Sequence, residues 1–261
     1  MSRSALLNVM VSAALKSGKS LSRDFGEVQN LQVSLKGSSD FVMRSHSKCQ
    51  EIIYQELSSA RPKYGFYSKG KTCDGQDSMT RWIVDPLNGY TNFLYAIPHF
   101  CISIALERDQ EIVASVIFNP ITDELYTAER GSGSFLNDRR VRISSRRILS
   151  KSIICYGVSH IDYRQNSQFL NKLGHIMNEA VGVRNLGSEA LALAYIAAGR
   201  FDGFCRQGLS KWCATASGLL LVREAGGFST NLLGGKLVDE NKGILSGNMY
   251  IYKQLLSIMN R

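Results

Sequence analysis

The stretch Trp82-Ile83-Val84-Asp85-Pro86-Leu87-Asn88-Gly89-Tyr90-Thr91-Asn92-Phe93 decides how this chain is read. Arg81 to Val84 has the look of a strand, and it runs directly into Asp, Pro and Gly, residue types that end strands and turn the chain. A second informative stretch is Trp212-Cys213-Ala214-Thr215-Ala216-Ser217-Gly218, followed by Arg223-Glu224-Ala225-Gly226-Gly227. Either one alone would be a weak signal, whereas two in a fixed order are specific.

With 261 residues, 44% of them hydrophobic, the chain can bury a large core, as one large domain or two intimate ones. No apolar run approaches membrane-spanning length, since Ser4 to Leu21 is broken by Asn8, Lys16 and Gly18. The N-terminus lacks the apolar stretch and cleavage site of a secretory signal, so a cytoplasmic protein without a membrane partner is expected. The six cysteines, Cys49, Cys73, Cys101, Cys155, Cys205 and Cys213, have neither zinc-site spacing nor scaffold density and read as reduced thiols. Cys101 and Cys155 lie in apolar, strand-like stretches and read as small buried hydrophobes.

A formal charge of +9 raises the possibility of an anionic partner. Arg139, Arg140, Arg142, Arg146 and Arg147 cluster, but without interleaved aromatics or a nucleic-acid module, so direct nucleic-acid binding is not expected.

Helical spacing of apolar residues predicts a helix over 4–24 and another over 47–60, the latter ending before Pro62. Strands are expected over 81–84, 101–106, 111–119, 124–128 and 141–144. After about Ser150 strands and helices alternate: 152–157, 167–180, 190–198, 203–205, 214–224 and 243–246. The order predicts an α+β half over 1–150 carrying the first stretch and an α/β half over 151–261 carrying the second, joined as one compact unit.

The two quoted stretches resemble the metal-binding signatures of the inositol monophosphatase family, bacterial extragenic-suppressor type. That family writes Asp-Pro-(Ile/Leu)-Asp-Gly-Thr-Thr-Asn and Trp-Asp-x-Ala-Ala-Gly…Glu-Ala-Gly-Gly. The resemblance extends through Gly187-Ser188 and Ala197 to Gly203, nearly the whole chain. It implies a layered α-β-α-β-α sandwich of the sugar-phosphatase type, a homodimer, and Mg²⁺-dependent hydrolysis of inositol or sugar phosphate monoesters. Some bacterial relatives act on the transcription machinery, which implies a possible protein partner there.

The same resemblance marks where the chemistry has changed. The second family aspartate is Asn88, the water-positioning threonine is Tyr90, and the aspartate after the tryptophan is Cys213. The upstream Gly-Glu-Glu element falls on Gly65 to Gly70, with Lys69 on the first glutamate and Gly70 on the second. Asp85 is the retained acidic ligand, together with the Leu87 carbonyl, and Asn88 offers only a neutral oxygen. Cysteine sulfur suits Mg²⁺ poorly, and an ammonium opposes any cation. In the ligand pocket, with Gly89 and Thr91 kept, Glu189 replaces a small residue and is expected to block it. Arg206 replaces a glutamate that binds a ring hydroxyl, and His46 an upstream aspartate.

Each change alone has a bland reading, but together they strike the chemical positions while Pro86, Gly89, Thr91, Asn92, Trp212, Gly226 and Gly227 keep the frame. The expected outcome is a family protein with catalysis lost or severely impaired, Mg²⁺ lost or weakly held, and Lys69 and Arg206 supplying positive charge for an anion. The alternative is an active phosphomonoesterase with a reduced metal site. Trp82 and Trp212 read as packing residues, and His99, His160 and His175 as isolated histidines without ligand spacing. A Cys213 nucleophile lacks an identifiable partner.

Overall fold

The computed structural model describes residues 3–31, 35–158, 163–208, 212–237 and 243–260. Two long helices, α1 (Ala5–Leu31) and α2 (Leu35–Ala60), pair and cover one face of an eight-stranded sheet. Its strands are β1 (Tyr64–Ser68), β2 (Lys71–Cys73), β3 (Asp77–Asn88), β4 (Cys101–Arg108), β5 (Glu111–Asn119), β6 (Glu124–Glu129), β7 (Gly133–Leu136) and β8 (Arg139–Val141), in the order β2-β1-β3-β4-β5-β6-β7-β8. A one-turn helix, α3 (Tyr90–Leu94), follows β3.

The second sheet has the order β10-β9-β11-β13-β12, from β9 (Ile153–Val158), β10 (Gly182–Arg184), β11 (Gly203–Gln207), β12 (Phe228–Thr230) and β13 (Ile244–Gly247). Helices α5 (Glu189–Ala197) and α6 (Trp212–Glu224) lie between the sheets, while α4 (Tyr163–Glu179) and α7 (Met249–Met259) cover the far side. The layers therefore run α-β-α-β-α, as the resemblance implied.

Sequence pattern explains each layer. β4 is buried over Cys101–Glu107, which requires cover on both faces. Ile102, Ile104 and Leu106 enter the core under α1 and α2, while Cys101 and Ala105 enter the core shared with α5 and α6. Ser103 also faces the middle layer and donates to Ser217 Oγ of α6 at 2.9 Å. Helices α5 and α6 are apolar almost all round and buried almost all round, as a helix between two sheets must be. They approach closely at Gly218, where an added Cβ would lie 2.5 Å from Leu193 Cβ. α7 is amphipathic, with Ile251, Leu255, Ile258 and Met259 buried over β11 and β13, and Asn248 caps it by accepting from the Tyr250 and Ile251 amides.

Several boundaries differ from the sequence expectation. α1 runs on to Leu31, and α2 begins at Leu35 rather than Ser47, because pairing with α1 sustains turns that propensity alone would not. The strand expected over 141–144 is instead Arg139–Val141, set by the left-handed turn at Asn137 and Asp138. The chain then leaves the sheet, and the Ile143 amide donates to the Ala225 carbonyl beyond α6. All six cysteines are free, and every one except Cys73 is buried. No helix among the described residues is long and apolar enough to cross a membrane.

The close α5–α6 approach makes opposite predictions for two helical glycines. Gly218→Ala should destabilise the fold by about 1–3 kcal/mol, because the new methyl overpacks the middle layer. Gly26→Ala, in open space on α1, should stabilise it by about 0.5–1 kcal/mol through helix propensity alone. Urea unfolding midpoints at unchanged slope would measure both.

Candidate active site

The site forms where strand C-termini and helix N-termini meet. β1 and β3 are parallel, paired through Ser68 and Val84, so Lys69 and Asp85 emerge from the same end of the sheet. The β3–β4 register shifts between Asp85 and Asn88, across Pro86, which has no amide to donate. That irregularity takes Pro86 and Leu87 out of the ladder, while Asp85 and Asn88 stay opposite Ser103 and Cys101 on either side of it. From the second sheet come the C-terminal residues of β9, and from the middle layer the first turns of α5 and α6, bringing Glu189 and Cys213. Together they enclose a cavity of about 900 Å³.

Lys69, Asp85, Leu87, Asn88, Gly89, Tyr90, Thr91, Glu189, Cys213 and His46 all line this cavity. Gly89 has φ 105°, and a Cβ there would stand 2.9 Å from the His99 carbonyl oxygen, so the turn into α3 requires glycine. Asn92 holds the turn in place. Its Nδ2 donates to the His99 carbonyl at 2.7 Å and to the Leu186 carbonyl at 2.8 Å, tying the first signature to the 185–188 loop.

Asp85 and Asn88 are joined to each other and to their surroundings by hydrogen bonds. Asp85 Oδ1 accepts the Leu87 amide at 3.2 Å, and Asp85 Oδ2 accepts from Asn88 Nδ2 at 2.9 Å. Asn88 Oδ1 accepts from Ser188 Oγ at 2.7 Å and from the Ala190 amide at 3.1 Å, at the start of α5. Because a backbone amide can only donate, the Asn88 oxygen must face α5 and its NH₂ must face Asp85. The neutral oxygen expected from Asn88 is thus already turned away into the N-terminus of α5, and hydrogens point at the carboxylate.

The other replacements are placed as follows. Lys69 sits exposed in the β1–β2 turn, and its carbonyl accepts from Gln50 Nε2 at 3.0 Å. The Tyr90 hydroxyl reaches the Ser39 carbonyl of α2 at 3.4 Å. Cys213 is buried in the first turn of α6. Cys155, on the wall, is held as a neutral thiol because burial pushes it up to about 12.

Arg206 is not on the cavity surface. It is buried behind Gly157 and ion-paired through Nη1 with Glu189. Glu189 therefore does not block the cavity, since its carboxylate is drawn to Arg206, and the two charges offset each other. The positive charge expected from Lys69 and Arg206 is reduced accordingly.

As a donor set for Mg²⁺ these residues fit poorly. A hard dication wants several oxygens, whereas Asp85 faces amide hydrogens, Cys213 offers sulfur and Lys69 an ammonium. Among the described residues no group of His, Cys, Asp or Glu is placed to hold a metal ion.

The remaining aromatic and histidine residues are structural in their surroundings. Trp82 is fully buried beneath the α1–α2 layer, and Trp212 Nε1 donates to Glu107 at 2.9 Å. His99 packs against Tyr195, and burial lowers its pKa. His160 lies outside the described residues. Motif reading missed Gln50, which donates to Ser68 Oγ at 2.7 Å as well as to Lys69, and the β9 end at Tyr156 to Val158. The second had a usable signal, since sites in parallel sheets gather at strand C-termini.

Comparison with known proteins agrees with this fold. The sequence profile of the inositol monophosphatase family matches residues 2–260, and the chain belongs to that family. It is 55% identical over 262 residues to the inositol-1-monophosphatase of Rhizobium meliloti, covering 100% of this chain and 98% of that one. It is 35% identical over 255 residues to the Nus factor SuhB of Escherichia coli K12, covering 97% and 95%. Among solved structures, the native extragenic suppressor protein suhB of Bartonella henselae superposes with a TM-score of 0.90 at 50% identity, covering 99% of each chain.

The Glu189–Arg206 pairing has a direct test. Glu189→Ala should cost about 3 kcal/mol, because it strands a buried guanidinium, while Glu189→Ala/Arg206→Met should recover most of that loss. Additive losses in a double-mutant cycle by denaturant unfolding would mean that the two side chains do not interact.

Proposed function

We propose that this protein binds a phosphate monoester of inositol or another sugar, or a related small anion, in the cavity, with hydrolysis lost or severely impaired and Mg²⁺ weakly held or lost. The observation that carries this reading is the orientation of Asn88: its amide hydrogens face Asp85, where the family places a second carboxylate. With Lys69 and Cys213 at the other ligand positions, too few anionic oxygens remain to hold a dication and steady the charge that builds on a transferring phosphoryl group.

A second reading is an active phosphomonoesterase with a reduced site built on Asp85, the Leu87 carbonyl and Asn88. It is favoured by whole-length identity of 55% to relatives named inositol-1-monophosphatase. By analogy with the family we also propose a cytoplasmic homodimer, with 1–150 and 151–261 acting as one unit; the packing of α6 on β3 to β6 supports the last point. The relatives named Nus factor SuhB support a role beside the transcription machinery through a protein contact.

Purified protein incubated with inositol 1-phosphate over a range of Mg²⁺ and Mn²⁺ should show little or no turnover. Metal-dependent turnover comparable to ordinary family members would replace the first reading with the second. Inorganic phosphate should bind without metal, with an affinity that falls as salt rises and that Lys69→Glu abolishes. Arg140→Glu, in β8, should leave that binding unchanged. An NMR titration that moves no resonances near Lys69, Gly89 or Cys213 would remove the anion from the proposal.

A further inference from the structure

The contacts of Asn88 do more than remove a ligand. They form a continuous chain of donors and acceptors: the Ala190 amide and Ser188 hydroxyl donate to Asn88 Oδ1, Asn88 Nδ2 donates to Asp85 Oδ2, and the Leu87 amide donates to Asp85 Oδ1. Asn88 is 6% exposed and Ser188 and Ala190 are buried, so this end of the chain meets out of water, where an unmatched donor or acceptor is costly, while Asp85 is half-buried at the cavity wall.

We propose that Asn88 is a positioning residue that takes the place of the cation, bracing Asp85 against the N-terminus of α5 so that the cavity keeps its shape without metal. The inference rests on the metal-poor reading of the site. An aspartate at this position would satisfy the α5 donors equally well, but it would then set an oxygen against Asp85 Oδ2, at the 2.9 Å where the amide now donates. Two carboxylates that close must share either a proton or a bridging cation, and the shared proton is lost as pH rises, which leaves the cation. A carboxamide demands none, because one end accepts and the other donates. A single change at Asn88 therefore converts a site that is complete in itself into one that needs an ion.

The test is the melting temperature of the full chain in EDTA and in millimolar MgCl₂. Wild type should melt at the same temperature in both. Asn88→Asp should melt about 3–6 °C lower in EDTA and regain most of that in MgCl₂. Asn88→Ala should also melt lower, with no recovery on adding Mg²⁺, because it loses the brace without creating a demand for charge.

The exchange Asp85→Asn/Asn88→Asp separates this account from a simple intolerance of change. It rebuilds the same chain with one carboxylate and one carboxamide in swapped places. The introduced carboxamide would accept the Leu87 amide and donate to the introduced carboxylate, which would accept from α5. The melting temperature should return toward wild type and be independent of Mg²⁺. The proposal is overturned if Asn88→Asp matches wild type in EDTA, if its loss is not restored by Mg²⁺, or if the exchange is as unstable as the single change. Mg²⁺-dependent stabilisation of wild type would instead overturn the metal-poor reading itself, and this inference with it.

Discussion

The backbone amide of Ala190 is the fixed point of this site, because it can donate and do nothing else. It requires an acceptor from the side chain facing it, and once that side chain is the carboxamide of Asn88 the amide nitrogen has only one direction left to face. That direction is toward the carboxylate of Asp85. The consequence runs outward from there. The residue that shapes the end of β3, the carboxylate beside it and the start of α5 become one hydrogen-bonded unit, and Asn92 ties the same turn to the loop leading into α5. On the proposed reading, the frame closes on itself through these hydrogen bonds rather than around an ion.

Charge follows the same logic. The sequence offers Lys69 and Arg206 as positive charges for the cavity, but the fold pairs Arg206 with Glu189 behind the wall, and one charge offsets the other. Among the described residues, Lys69 is left as the cation at the mouth, facing a cavity that also holds Asp85. The attraction this offers an anion is local and partly solvated, so it acts over a short range and weakens with salt. The general basic balance of the chain, carried by surface arginines such as Arg142 and Arg147, is a separate property.

Local pattern made much of the fold legible. Cys101 to Leu106 was legible as a strand and 190–198 and 214–224 as helices, but the cover on both faces of β4 and the burial of α5 and α6 between two sheets came only with the structure. α7 was legible but unread, since Asn248 followed by Ile251, Leu255 and Ile258 is a capped amphipathic helix. The first half of α2 was not legible: Gly37, Ser38 and Ser39 are poor helix formers, and pairing with α1 overrides them. The candidate site residues came from motif resemblance, which named Asn88, Glu189 and Arg206 but could not tell which way an amide faces or which charges pair. Those facts depend on contacts between residues far apart in the chain, such as Asn88 with Ser188, and no periodicity encodes them.

The central claim is that this site is complete without a metal ion. Crystals soaked in Mn²⁺ and measured at the manganese absorption edge test it most directly. The account predicts no anomalous peak within coordinating distance of Asp85, with the Asn88 amide still donating to that carboxylate. A peak ligated by Asp85, the Leu87 carbonyl and a rotated Asn88 would contradict it.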